Sequence, residues 1–117
     1  MQDVTKKTVF FSALLAVAVL SLAPREALPD TGVSDKLGHF IAYGVLSLVG
    51  MYAYPAMSGL RWVVIGLVLY GIGLETLQVL VPSRFFSIGD IFANTLGVLS
   101  GYALIILTRK MRRMVSR

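Results

Sequence analysis

Residues 62–81 read WVVIGLVLYGIGLETLQVLV, and Glu75 is the only charged side chain among them. A membrane-crossing helix needs about 20 mostly apolar residues. This stretch supplies them between Arg61 and Pro82. On its N-terminal side, Leu37 to Leu60 holds no Asp, Glu, Lys or Arg. Working outward gives four apolar segments, over about residues 8–23, 37–56, 62–81 and 88–108. The expected fold is all-α, a bundle of four transmembrane helices forming a single domain over residues 1–117.

The composition agrees. Of 117 residues, 56% are hydrophobic and 15% are charged, against about 25% charged in soluble domains. A bilayer is the one place where that excess of apolar surface is stable. A disordered chain, a secreted disulfide scaffold and a DNA-binding domain are excluded. The chain has no cysteine, which removes disulfides, thiolate metal sites and a cysteine nucleophile.

The first segment has the outline of a signal peptide, with Lys6-Lys7, a short apolar run and Ser21-Leu22-Ala23. Pro24 directly after that triplet disfavours cleavage, so a retained helix is expected. Orientation follows from the basic flanks. With the N-terminus inside, the inner side carries Lys6, Lys7, Arg61, Arg109, Lys110, Arg112, Arg113 and Arg117. The outer side carries Arg25, Lys36 and Arg84. Both termini are therefore expected in the cytoplasm. The C-terminal basic run reads as a flank attracted to anionic lipid, not as a nucleic-acid site.

With that orientation the embedded polar residues all fall in the outer half. Asp35, His39 and Tyr43 recur at i, i+4 on one helical face, with Lys36 beside them. Glu75 and Gln78 share a face of the third helix, and Asp90 and Asn94 share a face of the fourth. Arg84 and Ser87 lie in the short loop between those helices. At 1.5 Å per residue, Glu75 is expected roughly 10 Å below the end of its helix, level with Asn94. His39, Gln78 and Asp90 would form a shallower layer, and Asp35, Lys36, Arg84 and Ser87 the rim. A polar cleft open to the outer surface is the simplest arrangement.

Structural roles compete at each position. Ser87 and Asp90 fit a capping box, and Asp35 can cap the second helix. His39 and Asn94 can bond within the bundle, and Tyr43 can pack with its hydroxyl satisfied by a neighbour. Glu75 resists such a reading best, because a carboxyl in a membrane helix costs about 2.5–3.5 kcal/mol on insertion scales. Its candidate partners are Arg84 and His39. Gly89, Ala93, Gly97 and Gly101 form a small-residue stripe suited to close helix packing, with Gly44, Gly71 and Gly73 read the same way. Packing within the chain is the expected use of the Gly97–Gly101 face, with an oligomer through it as the alternative.

Asp35-Lys36-Leu37-Gly38-His39 with Tyr43, Glu75-Thr76-Leu77-Gln78, and Arg84, Ser87, Asp90, Asn94 and Gly97 stand in the order of three sequence blocks. In that order they resemble the VanZ-like family, over residues 35 to about 101. The resemblance implies a small integral membrane protein of the bacterial inner membrane. Its namesake is linked to resistance to the glycopeptide teicoplanin. It implies no particular reaction.

Three functions fit these residues. The first is binding or modification of a cell-envelope lipid or lipid-linked polymer headgroup, with Asp35, Lys36, Tyr43, Gln78, Arg84, Ser87 and Asn94 as contacts. In this reading Arg84 is the main anion contact. The second is hydrolysis or group transfer on a lipid-linked phosphate, with His39, Glu75 and Asp90 as candidate catalytic groups. The third is a purely structural polar network. No cofactor and no metal are expected, since one His and no Cys make a poor zinc set. The expected partner is a membrane lipid or lipid-linked envelope intermediate, and not nucleic acid.

Overall fold

The computed structural model describes residues 2–28, 32 and 34–116; Arg117, counted above among the inner basic residues, lies outside them. Four α-helices follow one another: α1 (Asp3–Leu22), α2 (Asp35–Ala53), α3 (Met57–Leu77) and α4 (Ile88–Val115). Short 3-10 turns occupy Arg25–Ala27 and Gln78–Leu80. The helix ends follow local chemistry. Pro24 follows α1, and Pro55 lies just past α2. Ser34 caps α2 by accepting from Leu37 N–H at 3.2 Å, so Asp35 is the first helical residue and not the cap expected for it. At the other end of the chain α4 runs to Val115, past the expected stop near residue 108. Arg112 and Arg113 sit in its last turn, where the helix dipole favours positive charge. The start of α1 is also early, at Asp3. Lys6 and Lys7 continue the helix and lie over the rings of Tyr52 and Tyr54, 4.4 and 5.0 Å from their centroids.

The result is an all-α bundle of four helices. Asp3–Leu22, Met57–Leu80 and Ile88–Val115 are each long and apolar enough to cross a membrane. α2 differs, because Asp35, Lys36 and His39 load its first turns with polar groups. The chain has the character of a multi-pass membrane protein. Leu69, Phe92, Leu96 and Leu104 project outward from the bundle, where lipid rather than water suits them. Inside, Phe10 of α1, Leu46 and Met51 of α2, Leu60 and Leu67 of α3 and Val98 of α4 form the apolar core.

α2 lies most closely against α4, and the glycines account for it. A Cβ built on Gly97 would overlap the backbone oxygen of Phe40 and lie 3.0 Å from Gly44 N. One built on Gly101 would overlap Ser47 Oγ. The two backbones therefore touch through these positions, as small-xxx-small pairs allow. Gly97 and Gly101 are buried against α2 of the same chain, the packing within the chain expected of this stripe. The packing role expected for Gly73 is corrected, since nothing lies within 4 Å of a Cβ there.

Alternating helix direction puts the C-terminus of α1, the N-terminus of α2, the C-terminus of α3 and the N-terminus of α4 at one end. That end carries the predicted polar residues.

Candidate functional site

The polar residues form two connected groups that share His39. The first group lies between α2, α3 and α4. His39 on α2, Glu75 on α3 and Asp90 on α4 bring one side-chain donor atom each to within 4.8 Å of one another. Glu75 is 1% exposed and Asp90 7% exposed. Lys36 Nζ donates to Asp90 Oδ1 at 3.1 Å and lies 3.5 Å from Ser87 Oγ. His39 Nδ1 is 2.9 Å from Asn94 Oδ1. With that oxygen as acceptor, Nδ1 carries a proton, and Nε2 lies 3.6 Å from Asp90 Oδ2.

The N-terminus of α4 is capped in an unexpected way. Ser87 Oγ accepts from Asp90 N–H at 3.3 Å, which is half of a capping box. The other half would send the Asp90 carboxylate back to Ser87 N–H. Instead, Glu75 Oε2 of the neighbouring helix accepts from Ser87 N–H at 2.8 Å. Glu75 thus reaches up to the start of α4, above the Asn94 level expected for it. This substitution frees the Asp90 carboxylate to meet Lys36 and His39. Among the described residues Glu75 Oε1 accepts no hydrogen bond. No fully enclosed side-chain oxygen or nitrogen among them lacks a partner, so accessible space adjoins Oε1.

The second group surrounds a cavity of about 330 Å³ between α1, α2 and the α3–α4 connection. Asp35, His39, Tyr43, Gln78 and Arg84 line it together with apolar residues such as Leu20. Tyr43 is 2% exposed. Its hydroxyl, expected to find a partner, makes no hydrogen bond to a described residue.

Gln78 and Arg84 have a task that the sequence reading missed. Pro24 stops α1 and leaves its last carbonyls without helical donors. Gln78 Nε2 donates to Ser21 O at 2.7 Å, and Arg84 donates to Ala23 O at 2.9 Å and Leu20 O at 2.8 Å. Lower on α1, the Tyr70 hydroxyl donates to Leu14 O. Arg84 therefore caps α1 and is not paired with Glu75. Two of its five N–H donors are engaged, and three remain. The signal that could have found this was the proline immediately after an apolar helix. Replacing Arg84 by alanine is expected to loosen the end of α1 by about 1–3 kcal/mol, the cost of losing charged hydrogen bonds. Faster amide exchange in residues 20–28, with α2 and α4 protected as before, is the expected readout.

At the rim, Arg25 Nη2 and Asp35 Oδ2 form an ion pair at 2.7 Å, with both side chains about half exposed. The hydrogen bond from Arg25, aided by its charge, holds the Asp35 carboxyl below its ordinary value. Asp35 thus binds its proton more weakly in the folded protein than in the unfolded chain. The pair's contribution is complete above the unfolded value of about 3.9 and is lost as pH falls through the lower folded value. Exposure limits its size. Asp35→Asn is expected to cost about 0–1 kcal/mol at neutral pH. Melting curves of variant and wild type should converge in acid.

Comparison with known proteins gives the family. The VanZ/LLP1 family model matches residues 2–109. An uncharacterized protein of Schizosaccharomyces pombe is 32% identical over 108 residues, covering 89% of this chain. The chain spans 64% of the length of that relative. No solved structure matches the chain.

Proposed function

The chain belongs to the VanZ/LLP1 family, and we propose that it is a four-span membrane protein whose polar end faces outward and binds the phosphate-bearing headgroup of a cell-envelope lipid. Family membership links the chain to cell-envelope biology and to the glycopeptide resistance associated with the VanZ name. Both termini are cytoplasmic in this reading, and the membrane is the bacterial inner membrane.

The observation that carries the reading is the cavity beside His39. It is polar where Asp35, His39, Gln78 and Arg84 line it and apolar toward α1, as a headgroup with its attached chain requires. Tyr43 is buried as a residue, yet its hydroxyl makes no hydrogen bond to a described residue and borders accessible space there. Arg84, held by the α1 carbonyls, has three N–H groups left for a phosphate. A relative in a fungus favours a lipid headgroup over a component peculiar to the bacterial wall.

Native mass spectrometry of the protein drawn from its own membranes tests this. A retained phospholipid or lipid-linked phosphate is expected on the wild type. It should be reduced severalfold in Tyr43→Phe and His39→Gln. Equal lipid retention in both variants would count against the cavity as the binding place.

One observation favours a second reading, hydrolysis or group transfer on the same phosphate. His39 is oriented by Asn94 through Nδ1 and turns Nε2 toward the Asp90 carboxylate, an arrangement suited to a general base. Lipid that is bound normally but no longer processed in His39→Gln would support it.

A further inference from the structure

We propose that His39, Glu75 and Asp90 bind a divalent first-row transition cation such as Mn²⁺, Fe²⁺ or Zn²⁺. The sequence argued against a metal by counting the His and Cys ligands that zinc prefers. The geometry supplies a mixed set instead, one imidazole and two carboxylates, each from a different helix.

Several features point to a cation. The three donor atoms lie within 4.8 Å of one another. Ligand bonds of about 2.0–2.2 Å span the 3.6 Å from His39 Nε2 to Asp90 Oδ2 at an open angle. The third donor joins after closing by less than about 1 Å. Glu75 is 99% buried by the measure of its 1% exposure, yet its Oε1 accepts no hydrogen bond and adjoins accessible space. An oxygen of that kind, beside an imidazole and a second carboxylate, is poorly satisfied without a positive charge.

The outer shell has the form that metal sites require. Asn94 holds His39 through Nδ1 and leaves Nε2 for the ion. Ser87 N–H holds Glu75 through Oε2 and leaves Oε1. Lys36 holds Asp90 through Oδ1 and leaves Oδ2. Each ligand is thus fixed by one atom and presents another. The charges also balance. With both carboxyls ionised, Lys36 at the exposed edge would offset only one of the two negative charges. A divalent ion neutralises both carboxylates and leaves Lys36 as a surplus positive charge at the mouth. The inference stands apart from the headgroup reading, because metal content is measured whether or not lipid is bound.

The test is elemental analysis of the purified full-length chain, followed by equilibrium dialysis against Mn²⁺, Fe²⁺ and Zn²⁺ in turn. About one equivalent of one of these is expected. Glu75→Gln retains an acceptor for Ser87 N–H, so it should fold while losing affinity at least about tenfold. Asn94→Ala, which touches no ion, should lose about 10–100-fold. Circular dichroism establishes that each variant is helical. Substoichiometric metal in the helical wild type with all three ions, or binding unchanged in Glu75→Gln and His39→Gln, would overturn the proposal.

Discussion

Gly97→Val is expected to prevent the bundle from forming, whereas Gly73→Ala should leave it unchanged. A Cβ at Gly97 meets the backbone oxygen of Phe40, which belongs to the neighbouring helix and cannot rotate away. To admit even one carbon, α2 must move off α4 along their closest contact. Overpacking typically costs about 1–3 kcal/mol, and valine against backbone belongs at the upper end or beyond. Separation at Gly97 also moves His39 away from Asn94 and Asp90, because His39 adjoins Phe40 on α2 and the other two lie one and two turns from Gly97 on α4. Gly101→Ala should be milder than Gly97→Val, since it adds one carbon in place of three and its severest overlap is with a side-chain atom, Ser47 Oγ, and not with backbone. Melting in detergent, with the yield of protein in membranes, would rank the three. Equal stability of Gly97→Val and wild type would mean that α2 and α4 do not touch there.

The second large effect is expected at Glu75. In Glu75→Leu the N–H of Ser87 loses its acceptor at the start of α4, and Lys36 and His39 lose a nearby negative charge. Leaving a buried donor unpaired costs about 1–3 kcal/mol. Glu75→Gln keeps an amide oxygen for the same N–H and should retain most of that stability. The pair therefore separates two roles of one residue. A folded Glu75→Gln protein without cellular function assigns Glu75 a role beyond holding the bundle. Loss of both variants to degradation alike would favour the purely structural network.

Much of this arrangement was legible in the sequence. The four helices follow from apolar length, and two of their ends from Pro24 and Ser87; the cap of α2 was misplaced by one residue, on Asp35 in place of Ser34. The i, i+4 spacing of Asp35, His39 and Tyr43 and of Asp90 and Asn94 places each set on one helical face. The expense of a carboxyl in the third helix turned Glu75 inward, where the structure has it buried.

What could not be read were the bonds between elements. Whether Asp90 or Glu75 takes Ser87 N–H depends on how the α3–α4 connection turns. Ser83 takes a positive φ of 66° there and hydrogen-bonds Arg25 N–H and the Glu26 carboxylate. That backbone choice docks the connection on the 3-10 turn after α1 and aims Arg84 at the α1 carbonyls. Spacing rules within single helices carry no information about it. The crossing of α2 and α4 was suggested by small residues. Which helix would fill the groove was not, because a partner chain satisfies the same pattern.

A headgroup site for an envelope lipid requires the polar end of the bundle to face outward. The absence of cysteine makes that measurable in a direct way. Single cysteines replacing Phe85 in the α3–α4 connection, Ser58 at the opposite end of the bundle and Ser116 after α4 can be probed in intact cells with a membrane-impermeant maleimide. Rapid labelling of Phe85→Cys is expected, with labelling of Ser58→Cys and Ser116→Cys only after the membrane is opened. Labelling of Ser58→Cys and Ser116→Cys in intact cells, with Phe85→Cys protected, would place His39, Glu75 and Asp90 at the cytoplasmic surface and contradict an outward-facing headgroup site.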